Sequence, residues 1–142
     1  MEATAKVAKT VSDTARMGIS AIEMLLNKVE SEEMREELLR EKRGYEKCDR
    51  MAEEILADFG VKTEKPGALS KAGTWMGIQM DTLTDRSASH IADMLIQGST
   101  MGIIELTRVK NENPDADKRA IKLADEYLKG EQVSVERLKA YL

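Results

Sequence analysis

Apolar residues recur at alternating intervals of three and four along four separate stretches of this 142-residue chain, which restricts it to packed amphipathic helices. In the first stretch Val7, Val11, Ala15, Gly18, Ile22, Leu25 and Val29 form one stripe, predicting a helix over 4–29. In the second, Met34, Leu38, Glu41, Tyr45, Cys48, Ala52, Ile55 and Phe59 keep the same rhythm up to Gly60, predicting a helix over 31–59. Ser31, followed by Glu32 and Glu33, supplies an N-cap and first-turn acids that complement the helix dipole. So short a turn makes these two helices an antiparallel hairpin.

A second hairpin follows. Ile91, Leu95, Gly98, Gly102, Leu106 and Val109 predict a helix over 85–110; Ile121, Ala124, Leu128, Glu131, Val135, Leu138 and Leu142 predict another over 114–141. Asn113-Pro114 reads as a cap followed by proline at the first helical position, and Gly130 is the place where the last helix is expected to bend. Between the hairpins lies GVKTEKPGALSKAGTWMGIQMD, with four glycines and the only tryptophan, read as a connection over 60–84 with a short helix around Ala68 to Met80.

With 42% hydrophobic and 34% charged residues and only two prolines, the expectation is one all-α domain spanning 1–142. A net charge of −4 provides no basic field for phosphates, so nucleic acid is not an expected partner. The single cysteine, Cys48, forms no intramolecular disulfide and suits a reducing compartment. The opening MEATAKVAKTVSD lacks the apolar run of a signal peptide, and no stretch approaches 18 uncharged apolar residues. A cytoplasmic protein with no membrane partner is expected.

The hairpins echo one another. Val7, Val11, Gly18, Ile22 and Leu25 fall on Ile91, Leu95, Gly102, Leu106 and Val109 after a shift of 84, and Leu38, Tyr45, Ala52, Ile55 and Phe59 fall on Ile121, Leu128, Val135, Leu138 and Leu142 after a shift of 83. Met17-Gly18-Ile19 and Met101-Gly102-Ile103 are identical triplets within that repeat. Glycine inside a helix costs roughly 1 kcal/mol relative to alanine, so each needs a reason. Either it admits a facing helix or a bulky side chain, with methionine filling the remaining gap, or it borders a small pocket.

AIEMLLNKVESEEMREELLREKRGYEKCDRMAEEIL and the ending LADEYLKGEQVSVERLKAYL, set in two hairpins with a long connection, resemble the ferritin-like four-helix bundle, in particular the small bacterial branch that includes spore-coat F-like proteins. The resemblance implies that the connection crosses the length of the bundle, so that the second and third long helices run parallel. Di-iron members of that superfamily use a Glu from each of two helices and Glu-x-x-His from each of the others. The corresponding positions here read Glu46-Lys47-Cys48-Asp49 and Glu131-Gln132-Val133-Ser134, without histidine, and the facing levels at Met17-Gly18 and Gly98 to Gly102 carry no carboxylate.

The resemblance therefore implies a non-catalytic bundle with a structural or protein-interaction role, possessing no catalytic residue, cofactor or metal. The alternative is a metal-binding or oxidoreductase protein with a sparse site from Glu46, Glu131, Asp49 and Glu105. A third reading is a small-molecule pocket lined by Met17, Met101, Trp75 and Tyr45. Glu41 and Glu131 lie on otherwise apolar stripes, where burial would raise their pKa values. Cys48 reads as an inert buried thiol and His90 as a residue of the polar edge. Trp75, Met76, Ile78 and Met80 lie close together in the chain; as one exposed patch they would support self-association or binding to another protein.

Overall fold

The computed structural model describes residues 2–62 and 71–142. It contains helices α1 (Glu2–Leu26), α2 (Glu32–Asp58), α3 (Lys71–Asp81), α4 (Ala88–Glu112) and α5 (Lys118–Lys139), with no strand among the described residues. The four long helices coincide with the four periodic stretches. The expected start of the short helix at Ala68 lies outside the described residues; from Lys71 onward α3 forms as anticipated.

Helix ends follow local chemistry. Ser31 caps α2 by accepting the Met34 N–H at 3.2 Å, as the sequence predicts. At the other end Gly60 adopts φ 72°, and the Val61 and Gly60 N–H groups donate to the Leu56 and Ala57 carbonyls, the paired bonds of a Schellman ending. The start of α5 differs from expectation. Asn113 closes α4, its side-chain amide donating to the Val109 carbonyl at 2.7 Å. Pro114 sits in the turn, and the cap of α5 is Asp117, which accepts the Arg119 N–H at 2.9 Å. A tertiary bond selects this register: the Asp117 N–H donates to the buried Thr4 hydroxyl at 2.8 Å, tying the start of α5 to the start of α1.

Cross-helix pairs fix the directions. Lys42 meets Glu23 at the α1–α2 turn end, while Arg119 meets Asp58 beside Thr4 and Asp117 at the opposite end. Arg137 reaches back to Glu37, and the Tyr141 hydroxyl donates to the Glu33 carbonyl, so α5 runs antiparallel to α2. Ile91 and Leu95 share an apolar cluster with Ile22 and Leu25, whereas Leu106 lies with Val7 and Val11, so α4 runs antiparallel to α1. Helices α1 and α5 thus point one way and α2 and α4 the other, so the end of α2 and the start of α4 lie at opposite ends of the bundle.

Two apolar clusters form the core. The lower one gathers Val7, Val11, Ile55, Leu56, Leu106 and Leu123; the upper one gathers Ile22, Leu25, Met34, Leu38, Ile91 and Leu138. Gly130 does not interrupt α5, which is continuous to Lys139. Part of the predicted stripe of α5 is displaced by one position: Tyr127 and Ser134 are buried, while Leu128 and Val135 are only half-buried. The anticipated α3 patch is also corrected. Met80 is buried in the upper cluster, Met76 packs onto Gly98, and of the four residues only Ile78 is an exposed large hydrophobic.

Candidate functional site

Between the two apolar clusters the interior turns polar. Glu41 follows Leu38 by three residues and precedes Tyr45 by four, so the helical rhythm that buries Leu38 also carries Glu41 inward. Glu131 reaches the same level from α5. Both are about 5% exposed, and Glu37, one turn before Glu41, is 3% exposed.

The three carboxyl groups differ in how they are satisfied. Glu37 accepts from Arg40 at 2.6 Å and from Arg137 at 2.9 Å, using both oxygens. Glu131 accepts from the Tyr45 hydroxyl at 2.7 Å, and a Ser99 hydrogen bond also favours its charged form. Neither Glu41 oxygen accepts a hydrogen bond, and less than 1 Å² of each is accessible; the protonated carboxyl has only Glu37 to donate to, so the ionised form is left without a donor. An unsatisfied buried polar group of this kind costs about 1–3 kcal/mol.

Burial dominates the electrostatics. Desolvation, then a hydrogen bond to Glu37 that only the protonated form can make, then the charges of Glu37 and Glu131, push the Glu41 carboxyl up to about 9, against which Arg137 pulls downward. Burial raises Glu131, opposed by the bonds from Tyr45 and Ser99. The phenols of Tyr45 and Tyr127 lie well above their ordinary value because of burial and then Glu131, so both keep their protons near neutrality. Their rings are 6.0 Å apart and tilted by 34°. Burial also raises the Cys48 thiol, which suits an inert side chain better than a nucleophile.

Two spaces flank this layer. A cavity of about 60 Å³ lies on the α1–α4 side, bordered by Gly18, Gly98, Gly102, Tyr45, Ser99 and Glu131. A wider groove of about 500 Å³ lies between α2 and α5, where Glu41, Glu131, Tyr45 and Tyr127 form part of the lining and Gly44 and Gly130 leave open space. A Cβ on either glycine would meet nothing within 4 Å. The three glycines that border the small cavity are crowded: at residue 18 a Cβ would lie 2.6 Å from the Tyr45 ring, at residue 98 it would lie 2.9 Å from Met76, and at residue 102 it would lie 3.1 Å from Thr14. Both readings of the repeated Met-Gly are therefore realised together. Each glycine admits a neighbouring side chain, and both border the same cavity.

The residues singled out for a sparse metal site lie apart in their bonding. Glu131 is held by Tyr45, while Asp49 faces α1, where it accepts from Ser12 at 2.6 Å and from Arg16 at 3.2 Å. Glu46 and Glu105 are half-buried on α2 and α4. Among the described residues no three His, Cys, Asp or Glu side chains converge as a metal site requires. Of the anticipated pocket residues, Met17 and Tyr45 border the small cavity, with Met76 contributing in place of Trp75 and Met101. His90 is half-buried near the start of α4, where its N–H is accepted by the Ser87 cap.

Sequence reasoning missed Glu37, Ser99, Tyr127 and Arg137. Glu37 stands among Glu32, Glu33 and Glu36, and nothing local distinguishes it from those exposed neighbours. Only its i, i+4 relation to Glu41 offered a signal. No known protein family, curated protein or solved structure matches this chain.

Proposed function

We propose that the protein is a ferritin-like four-helix bundle with a non-catalytic binding role, its ligand site being the groove between α2 and α5. The ferritin-like reading is supported by the parallel course of α2 and α4 and by the connection that must span the bundle to join them. The binding reading rests on one observation: Glu41, a buried carboxyl whose oxygens accept from no donor, lines an open groove of about 500 Å³. Pockets of that size, largely apolar with few polar groups, suit small ligands.

The metal-binding alternative has less support, because Asp49 and Glu131 already hold other partners and no three such side chains converge among the described residues. A structural or protein-interaction role is favoured by the exposed Ile78 and Ile104; sedimentation that shows self-association abolished by Ile104→Arg would favour it over the groove. The groove itself is tested by amide shift perturbation with a set of small aromatic fragments. Shifts clustered in 40–48 and 126–137 are expected. Fragments that bind only elsewhere, or not at all, would remove the proposal.

A further inference from the structure

We infer that the groove between α2 and α5 takes a small organic ammonium with an apolar body, whose cationic head is held by Glu41 and whose body lies along Tyr45 and Tyr127. This rests on the groove being a ligand site and names the class of ligand it selects.

The sign of charge follows from who is already paired. Arg40 and Arg137 at the rim both bind Glu37, and Arg137 also lies 3.3 Å from the Ser134 hydroxyl. An anion would have to compete with Glu37 for them. Glu126 and Lys129 add one charge of each sign to the lining. The acceptor left over is Glu41, and the charged or titratable groups facing it are Glu37 and Tyr45 from α2 and Glu131 and Arg137 from α5. From α1, Met17, Gly18 and Ala21 bring no charge to this level. A donor with positive charge supplies what this carboxyl lacks, and a charge-assisted hydrogen bond is the strong form of that contact.

A compact metal cation does not answer the same need. It requires several oxygens converging on one point, and among the described residues no such group exists. An ammonium needs fewer acceptors, and its apolar body matches the two tyrosine rings, whose faces attract cations. Gly44 and Gly130 put no side chain over the groove, so the Glu41 carboxyl, covered in the free protein, has room to turn toward it when the ammonium binds.

Binding exchanges a proton for the ligand. The free carboxyl, held near 9, carries its proton at neutral pH. An ammonium head retains its own protons and stabilises the carboxylate, so the carboxyl proton leaves to solvent as the ion pair forms. One proton released per ligand makes affinity rise about tenfold per pH unit below the carboxyl's titration.

Nuclear magnetic resonance titration with 2-phenylethylamine and its neutral analogue 2-phenylethanol tests this at several pH values from about 6 to 8. Once the carboxyl is ionised the amine is expected to bind in the groove about ten- to a hundredfold more tightly than the alcohol, the value of one charge-assisted hydrogen bond. Displacing the proton reduces that advantage about tenfold at pH 8 and a further tenfold for each unit below. Its affinity should climb with pH while that of the alcohol stays level. Glu41→Gln, close in size, should erase both the preference and the pH slope while the alcohol still binds, with circular dichroism confirming the fold. Equal, pH-independent binding of amine and alcohol to the wild type would overturn the ammonium assignment and leave the groove standing. Failure of both probes to perturb 40–48 and 126–137 would overturn the two together.

Discussion

The ring of Tyr45 lies against the backbone of Gly18, its Cε2 atom 2.6 Å from where a Cβ on residue 18 would stand. No side chain fits there unless the ring moves, and the ring is anchored by its bond to Glu131. Gly18→Ala should therefore cost about 1–3 kcal/mol by overpacking, outweighing a helix-propensity gain of roughly 1 kcal/mol. Gly44→Ala and Gly130→Ala meet open space and should stabilise by about 0.5–1 kcal/mol. Urea denaturation of the three variants checks the contrast; a stabilised Gly18→Ala would show that the ring moves freely.

A carboxylate at either repeated glycine should fare worse. Gly18→Glu and Gly102→Glu place an unpaired acid against Tyr45 or Thr14, and both melting temperatures should fall whether or not iron or manganese is present. A melting temperature that rises with added metal would mean that the mid-bundle layer can be converted into a metal cradle.

Stability should depend on the proton of Glu41. In the unfolded chain its carboxyl titrates near the ordinary 4.5, in the folded protein at about 9, so between these values the native state binds more protons. The sign follows: this contribution is fully present below about 4.5, declines as pH rises through the interval, and is gone above about 9, with a limiting slope of about 1.4 kcal/mol per pH unit. Glu131, also raised, adds in the same direction. Chemical denaturation across this range should show the decline in the wild type and a flatter profile in Glu41→Gln; parallel profiles would contradict the assignment.

Arg137 joins Glu37 to the level of Glu41. Arg137→Met leaves Glu37 with Arg40 alone and should cost about 1–3 kcal/mol, the scale for a buried polar group losing a partner. It also removes the positive charge that holds the Glu41 carboxyl down, so that carboxyl should titrate at still higher pH. Carbon-13 resonances of the glutamate carboxyls read this directly, and an unshifted or lowered Glu41 titration would be the contrary result.

The helical rhythm was legible because it is a local property. Spacings of three and four carry their own geometry, so the long helices, the α1–α2 hairpin and the Ser31 cap could be read without knowing what lay opposite. The same rhythm carried Glu41 inward one turn after the buried Leu38, and Glu131 is buried between Tyr127 and Ser134, which stand one position off the stripe that the sequence predicts. The repeated glycines declared a close contact, though not its partner.

What lay opposite was decided only in three dimensions. Both Leu128 and Tyr127 could have faced the interior of α5; Tyr127 does, its ring meeting Tyr45 from another helix. Asn113 and Asp117 were each competent to begin α5, and a hydroxyl 113 residues away on Thr4 selects Asp117. Glu37 is buried because Arg137 arrives from α5 to pair with it, whereas Glu41 keeps its proton because no donor arrives. Periodicity determines which way a side chain turns from its own helix axis; desolvation, pairing and open space depend on the surfaces that other helices bring to it, and those were set when the helices packed.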